Sequence, residues 1–163
     1  MYELTQSLYE VPSNWTPQLD PCTWDGVICS RGRVIAINLA QRDIFESLSP
    51  ALGNITSLTS LQREFNNICS PLPRLRKLSS LQKIYLQANA FDSIPRLIPD
   101  FLGSLLNLDI LHLSYNQLTG PLQRSFAGSI LTKLFLDHQQ SGDKISDRID
   151  VIGAMPQLTM TWL

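Results

Sequence analysis

An apolar triplet of the form L-x-L recurs along most of the chain and restricts its fold more than any other feature. The last residues of successive triplets are 24, 23, 27, 23 and 27 positions apart. Alternation within a triplet directs its two outer side chains to one face of a short strand and the middle one to the other. One coil cannot bury its apolar face alone, so the period predicts a stack of coils. The triplets are 37–39, 61–63, 84–86, 111–113, 134–136 and 161–163.

A polar position recurs three residues after these triplets. It is Asn66, Asn89 and Asn116 in the middle of the chain, whereas Arg42 and Gln139 hold the same place at the two ends. A side-chain amide donates and accepts hydrogen bonds, so an Asn can satisfy backbone groups where each coil turns away from its strand. We therefore expect a ladder of stacked Asn residues that is imperfect at both ends.

The triplet period lies within or close to the roughly 20–29 residues of leucine-rich repeats. The predicted fold class is α/β: a curved right-handed solenoid of about five to six repeats, with short parallel strands on the concave face. The convex face is expected to hold 3-10, helical or irregular segments. Turn signals at Ile94 and Pro95, and at Gly120 and Pro121, mark the return across that convex face.

The second triplet breaks the apolar pattern, because Arg63 stands at an inward-facing position. An unpaired charge there would be costly. We expect either that its guanidinium reaches solvent or that Phe65 fills the gap through a local distortion. The second coil should then be one of the least regular parts of the chain.

Composition and charge favour a folded chain and exclude several classes of protein. The hydrophobic fraction is 44%, and 13 basic residues face 14 acidic ones without a basic tract, so no nucleic-acid partner is expected. No apolar run approaches the roughly 20 residues of a membrane helix, so no membrane span is predicted. The first residues lack the basic start and apolar stretch of a signal peptide, which by itself favours a cytosolic product. Against this, Cys22 and Cys29 in a compact aromatic-rich segment suit a disulfide-stapled cap in an oxidising compartment.

Residues 15–29, W-T-P-Q-L-D-P-C-T-W-D-G-V-I-C, resemble the N-terminal cap of plant leucine-rich-repeat proteins. That family's signature is a Trp followed by Asp-Pro-Cys-x-Trp-x-Gly-Val-x-Cys. The resemblance implies a cap over residues 1–33 and repeats over 34–163, with the C-terminal cap missing. It also implies a Cys22–Cys29 disulfide and tryptophans that cover the open edge of the first coil.

A narrower resemblance links residues 87–95 and 126–140, and the terminal strand 161–163, to the transmembrane-kinase (TMK-type) receptor-like kinases. It implies a ligand- or protein-binding ectodomain on the extracellular side of the plasma membrane, connected with auxin-dependent growth signalling. The implied partners are a protein or peptide ligand, a co-receptor or a small-ligand-binding protein. The chain carries no kinase motif set, so we expect no enzyme activity, no catalytic residue, no metal site and no cofactor.

The middle residues of successive triplets are predicted to form one column on the concave face. Strands lie about 4.8 Å apart, so its last four members should form a contiguous surface, and exposed aromatic side chains are typical binding anchors. The alternative is that these rings only protect the sheet, or that Trp162 packs against a further coil. The predicted contact residues are Tyr85, His112, Phe135 and Trp162, flanked by Lys83, Gln87, Ser114, Tyr115, Asp137 and His138.

Other chemistry is weakly indicated. His112 and His138 are the only histidines, and without a Cys or carboxylate cluster we interpret them as surface residues, not as a metal or general-base site. Asn14 and Asn54 begin N-glycosylation sequons, which matter only for a secreted chain. Cys69 is interpreted as an inert thiol. Alternative functions are a truncated or decoy repeat protein without a signalling role, and an apoplastic inhibitor of wall-degrading enzymes.

Overall fold

The computed structural model describes residue 4 and residues 12–91, 97–140 and 149–163. Within these residues, seven strands form one sheet in the order β1-β2-β4-β6-β7-β8-β9, and β3 pairs with β5 in a second sheet. The strands are β1 (Val27–Ser30), β2 (Arg33–Asn38), β3 (Phe45–Glu46), β4 (Ser60–Gln62), β5 (Asn67–Ile68), β6 (Lys83–Tyr85), β7 (Ile110–His112), β8 (Lys133–Phe135) and β9 (Met160–Trp162).

All pairings from β2 to β9 in the large sheet are parallel and keep one register, whereas β1 is antiparallel to β2. The first residue of each of the first five triplets is buried, and those residues are aligned as Ile37, Leu61, Ile84, Leu111 and Leu134. Each coil thus adds one strand to the sheet and one apolar layer to a common core. The predicted α/β solenoid with parallel strands is confirmed.

Short helical turns lie opposite the sheet on every coil except the one between β4 and β6. They are the 3-10 turns Pro50–Asn54, Asp100–Ser104 and Arg124–Gly128, and the helix α1 (Ile149–Gly153). The turns stack tightly, since a Cβ added at Gly103 would lie 2.6 Å from the backbone nitrogen of Phe126. A bare glycine lets successive turns approach within backbone contact, which keeps the coils close enough to share a core.

The predicted return at Gly120 is observed. Its φ of +77° is a conformation that glycine adopts readily, and Thr119 before it forms a parallel bridge with Leu97 on the preceding coil. The second predicted return, at Ile94 and Pro95, lies outside the described residues.

The Asn ladder is present and extends one step beyond its prediction. The Asn116 amide donates to the carbonyls of Leu86 (3.0 Å) and Leu113 (2.8 Å). The Gln139 amide makes the equivalent bonds to Leu113 (3.0 Å) and Leu136 (2.8 Å). The expected imperfection at Gln139 is therefore wrong, because the longer side chain reaches the equivalent pair of carbonyls one coil further along.

At the other end of the ladder, Arg42 is exposed and joins only through its backbone N–H, which donates to Oδ1 of Asn66 at 3.0 Å. The same Oδ1 accepts the N–H of Ile44 at 3.0 Å. Asn66 of the next coil thus accepts hydrogen bonds from the backbone of the first coil, whereas the side chain of Arg42 takes no part in the ladder. The prediction that the ladder is imperfect at Arg42 is confirmed.

Both expectations for Arg63 are wrong. Its side chain is 0% exposed, so the guanidinium does not reach solvent, and Phe65 is 53% exposed, so it does not fill the core. No guanidinium nitrogen of Arg63 has a hydrogen-bond partner. The strand of the second coil is nevertheless regular, because β4 pairs in register with both β2 and β6. The long aliphatic stem occupies the space of a leucine, and the coil tolerates the charge at its end.

The N-terminal cap is held by a disulfide and a tryptophan pair. Cys22 and Cys29 are bonded, as the resemblance implied. Trp15 and Trp24 are both buried and stack with ring centroids 4.9 Å apart. Gly26 has a φ of +76°, and a Cβ there would lie 2.1 Å from the carbonyl oxygen of Asn38. The cap therefore packs directly on the backbone of β2 and closes that end of the core.

Candidate concave binding surface

Four side chains form a continuous row of rings across the outer face of the large sheet. Strand pairing places Tyr85 beside His112, His112 beside Phe135, and Phe135 beside Trp162. The centroids of successive rings are 6.5, 4.8 and 5.3 Å apart. We call these four residues the ring strip. The column continues on the first two coils as Asn38 and Gln62, so the rings occupy only its second part.

The ring strip follows from the local sequence of each strand. In every coil the two neighbours of the ring residue in the triplet point to the opposite face, and on the coils of Tyr85, His112 and Phe135 both of them are buried. The ring must then project from the sheet. Tyr85, His112 and Phe135 are half-buried, whereas the side chain of Trp162 is 59% exposed. Pairwise ring contacts hold each side chain in place before any ligand arrives.

We number the coils by their triplets, from coil 1 at residues 37–39 to coil 6 at residues 161–163. A hydrogen-bonded group flanks the strip on coils 4 and 5. The hydroxyl of Ser114 donates to one oxygen of Asp137, and Nδ1–H of His138 donates to the other. The His138 ring stacks on Tyr115 at a centroid distance of 4.4 Å. The structure thus brings these four predicted contact residues together. It does not join His138 to His112, whose ring contacts are with Tyr85 and Phe135.

The environment of the strip shifts three pKa values. Burial, followed by the negative charges of Glu64 and Asp109, raises the pKa of Tyr85. Burial lowers the pKa of His112 against an opposing effect of Asp137, so neutral imidazole is favoured. Burial alone would raise the pKa of Asp137, but its hydrogen bonds with Ser114 and His138 outweigh this and lower it. The strip is therefore largely uncharged, with an ionised carboxylate at its margin.

The two remaining predicted contact residues lie on coil 3. Lys83 is exposed at the first position of β6, on one side of Tyr85. Gln87 follows the triplet on the other side, where its carbonyl oxygen Oε1 is shielded from solvent and accepts no hydrogen bond. Lys133 lies beside the strip on β8, in the column of Lys83, although it was not predicted as a contact.

A further column borders the strip and was missed in the sequence. The residue before each ladder position has a left-handed backbone, with φ between 54° and 57°. We call this the edge column. Each member of the edge column comes one residue before a ladder position, and this fixed spacing was the signal in the sequence that could have revealed the column. Its members are Gln41, Phe65, Ala88, Tyr115 and His138.

The two sequons lie in different settings. The Asn14 amide nitrogen donates to the carbonyl of Thr23 (3.1 Å) and to Oδ1 of Asp25 (3.2 Å), so both of its hydrogens are used within the cap. Asn54 is exposed at the end of its 3-10 turn. A glycan at Asn54 would displace no contact, whereas one at Asn14 would remove an amide hydrogen from the cap. Cys69 is a free, exposed thiol.

Comparison with known proteins agrees with the fold and the cap. Residues 3–30 match the leucine-rich-repeat N-terminal domain family. The ectodomain of the receptor kinase SOBIR1 from Arabidopsis thaliana is a leucine-rich-repeat structure that superposes with a TM-score of 0.71 at 26% identity, over 86% of this chain and 81% of that one.

The chain has the leucine-rich-repeat architecture of plant receptor-kinase ectodomains.

Sequence relatives support this leucine-rich-repeat assignment. Receptor-like kinase TMK4 of Arabidopsis thaliana is 36% identical over 91 residues, which are 56% of this chain and 10% of the relative. Pollen receptor-like kinase 2 of the same plant is 35% identical over 118 residues, 71% of this chain and 18% of the relative. The chain thus spans less than a fifth of the length of these relatives. Within the described residues, no helix is long and apolar enough to cross a membrane.

Proposed function

We propose that this leucine-rich-repeat chain is a recognition module that binds a peptide or protein partner on the ring strip. The observation that carries the proposal is the unbroken contact from Tyr85 through His112 and Phe135 to Trp162 on the outer sheet face. Aromatic side chains supply large contact areas at low entropic cost and dominate many interfaces. Rings already ordered by one another lose little further freedom on binding.

The polar margins of the strip would orient the partner. Lys83 and Lys133 lie on one side, at the starts of β6 and β8. Glu64 and Asp137 lie on the other, one residue beyond the triplets of coils 2 and 5. Opposite charges on the two margins favour one direction of a bound chain over its reverse, because reversal would place like charges together.

The similarity to receptor kinases extends the proposal to the setting of the module. We infer that it works on the extracellular side of the plasma membrane, where a disulfide such as Cys22–Cys29 persists. A protein or peptide ligand, a co-receptor or a small-ligand-binding protein would be its partner. The named relatives are kinases, but the described residues form repeats and their cap, so we propose no kinase activity for this chain.

The test selects binders from a displayed random peptide library against the chain and measures their affinity for variants. Replacing Tyr85, Phe135 and Trp162 with Ala should weaken the selected peptides by at least about a hundredfold, since hot-spot rings each contribute about 2 kcal/mol or more. The control is Leu106→Ala, which removes a side chain that is 77% exposed away from the strip. Peptides that bind the triple variant as tightly as the unaltered chain would place the binding surface elsewhere.

A further inference from the structure

The edge column contains a gap on coil 3. Its backbone N–H groups bind the next coil in a repeating pattern: Phe65 to Gln87 oxygen, Ala88 to Ser114 oxygen and Tyr115 to Asp137 oxygen, each at 3.0 Å. Successive members are thus separated by a strand spacing of about 4.8 Å. Phe65 and Tyr115 stand about 10 Å apart, and between them Ala88 offers only a methyl group. We call this gap the notch.

Both walls of the notch are rings that reach solvent. The side chain of Phe65 is 53% exposed and that of Tyr115 is 45% exposed. Tyr115 is held from the far side by its stack on His138, with an angle of 13° between the rings. Atoms in contact lie about 3.5–4.0 Å apart, so the width of the notch admits one flat group between the two walls.

The residues that precede Phe65 and Ala88 each carry a hydrogen-bond acceptor that has no donor. Oε2 of Glu64 and Oε1 of Gln87 are shielded from solvent and accept no hydrogen bond. They precede Phe65 and Ala88 in the chain, on adjacent coils. Among the described residues, Glu64 forms no ion pair. Shielded acceptors without partners are costly and are usually satisfied in the functional state.

The column of Glu64 and Gln87 continues two coils further on as Ser114 and Asp137, where the carboxylate does accept hydrogen bonds. There Ser114 and His138 supply donors to Asp137. Coils 2 and 3 place Glu64 and Gln87 at these positions and supply no donor to the two free oxygens. A donor bound in the notch would satisfy both oxygens, and the carboxylate of Glu64 favours one with a positive charge.

We propose that the notch binds an arginine side chain of the partner, stacked between Phe65 and Tyr115, with the side chains of Glu64 and Gln87 turning toward it to accept its hydrogen bonds. A guanidinium is planar, carries five N–H donors and stacks on aromatic faces. A lysine ammonium is compact and cannot fill a flat slot, and an uncharged aromatic ring has at most one donor and would leave at least one acceptor unpaired. The inference rests on the proposed recognition function and specifies one side chain of the ligand.

The experiment uses the tripeptide acetyl-Gly-Arg-Gly-amide as the probe and NMR of the folded chain as the readout. The probe should shift the ring resonances of Phe65 and Tyr115 and the side-chain amide of Gln87. The citrulline analogue, which has the same shape without the charge, should bind about tenfold more weakly, as expected for loss of a charged hydrogen bond. The lysine analogue should also bind more weakly than arginine.

Ala88→Tyr closes the notch and is the main variant. It should fold, because Phe65 and Tyr115 already place rings on the same left-handed backbone. It should abolish the probe-induced shifts, while Glu64→Gln should weaken arginine about tenfold and leave citrulline unchanged. Leu106→Ala is the matched control and should bind the probe as the unaltered chain does. Circular dichroism of each variant verifies its fold.

The outcomes separate this proposal from the proposed function. Shifts that persist in Ala88→Tyr, equal affinity for arginine and citrulline, or no shift up to the solubility limit of the probe would overturn the notch. If library-selected peptides lose affinity only in the ring-strip variants, the recognition function stands without the notch. If they bind the ring-strip variants normally but lose affinity with Ala88→Tyr, the notch stands and the strip is wrong.

Discussion

Arg63 shows how far a single residue can depart from the pattern around it. It is fully buried in a column otherwise filled by leucines, and its three guanidinium nitrogens have no partner. Burial lowers its pKa to about 10, which still leaves it charged at neutral pH. Desolvating such a charge opposes folding, so the surrounding coils must stabilise the chain against it.

We expect Arg63→Met to raise the free energy of unfolding by about 2 kcal/mol, because it keeps the stem and removes the unpaired charge. Burial makes the pKa of Arg63 lower in the folded chain than in the unfolded one, so the stability of the unaltered chain should rise as the pH passes from about 10 upward. The gain from the substitution should shrink over the same range. Urea denaturation measures both effects.

The control is Arg42→Met, at an exposed position, which should change the free energy of unfolding by less than about 0.5 kcal/mol. An Arg63→Met variant less stable than the unaltered chain would refute this explanation.

The protonation of His112 provides a second residue-scale prediction. Burial lowers its pKa and Asp137 raises it, so the NMR titration midpoint of its ring should lie below 6.5 in the unaltered chain. Asp137→Asn should move the midpoint further down, because the opposing negative charge is gone. Glu64→Gln should not move it, since Glu64 acts on Tyr85. An upward shift in Asp137→Asn would contradict this electrostatic assignment.

The residue patterns predicted the ring strip but not the notch. Alternation within each triplet was enough to place Tyr85 next to His112, since the pairing register preserves it. The burial of Arg63 could not be predicted, because residue type alone does not say whether a long side chain leaves the core or lies within it. Nor does residue type show that Phe65 has a left-handed backbone and faces solvent.

At the scale of elements, the ladder joins each turn to its two neighbours. Asn116 is fully buried and bonds carbonyls of coils 3 and 4, while its Oδ1 accepts the N–H of Phe91 at 3.4 Å. Its place in the ladder was predictable from spacing. The equivalence of Gln139 was not, because spacing does not show whether a side chain that is longer by one methylene can reach the equivalent carbonyls.

Asn116→Leu should lower the free energy of unfolding by about 3 kcal/mol or more, since several buried backbone groups lose their partner. Gln139→Asn should cost less than about 1 kcal/mol, because a shorter amide still offers the same donors and acceptor. Gln140→Ala, at an exposed neighbouring position, serves as the control and should be nearly neutral. Denaturant melts of the three variants compare them directly. Equal losses in all three would mean that the ladder is not the source of stability.

At the scale of the whole molecule, contacts run mainly between successive coils along the sheet order from β1 to β9. Stability in such an array is the sum of each coil and its interfaces. The cap protects one end through the disulfide and the Trp15–Trp24 stack. At the other end, Trp162 and Leu163 remain about half exposed, at 59% and 49%. The overall arrangement was predictable from the period, because the triplets alone define the coil and its neighbours.

Removal of the disulfide by replacing Cys22 and Cys29 with Ala should lower the free energy of unfolding by about 2–3 kcal/mol. Hydrogen exchange should show that the loss of protection is concentrated in β1 and β2. In the unaltered chain, amides of β6 and β7 should exchange most slowly and those of β9 fastest, since only the former lie between coils on both sides. Uniform protection along the sheet would contradict the additive model. Cys69→Ala, an exposed free thiol, provides the control.

The edge column separates the chemistry of the surface from the geometry of the coil. Glutamine, phenylalanine, alanine, tyrosine and histidine all occupy it with one backbone shape. The backbone hydrogen bonds along it do not involve these side chains. Functional groups of many kinds can therefore be installed there at regular intervals without redesign of the scaffold. The column therefore offers a series of regularly spaced positions at which binders of chosen specificity can be engineered.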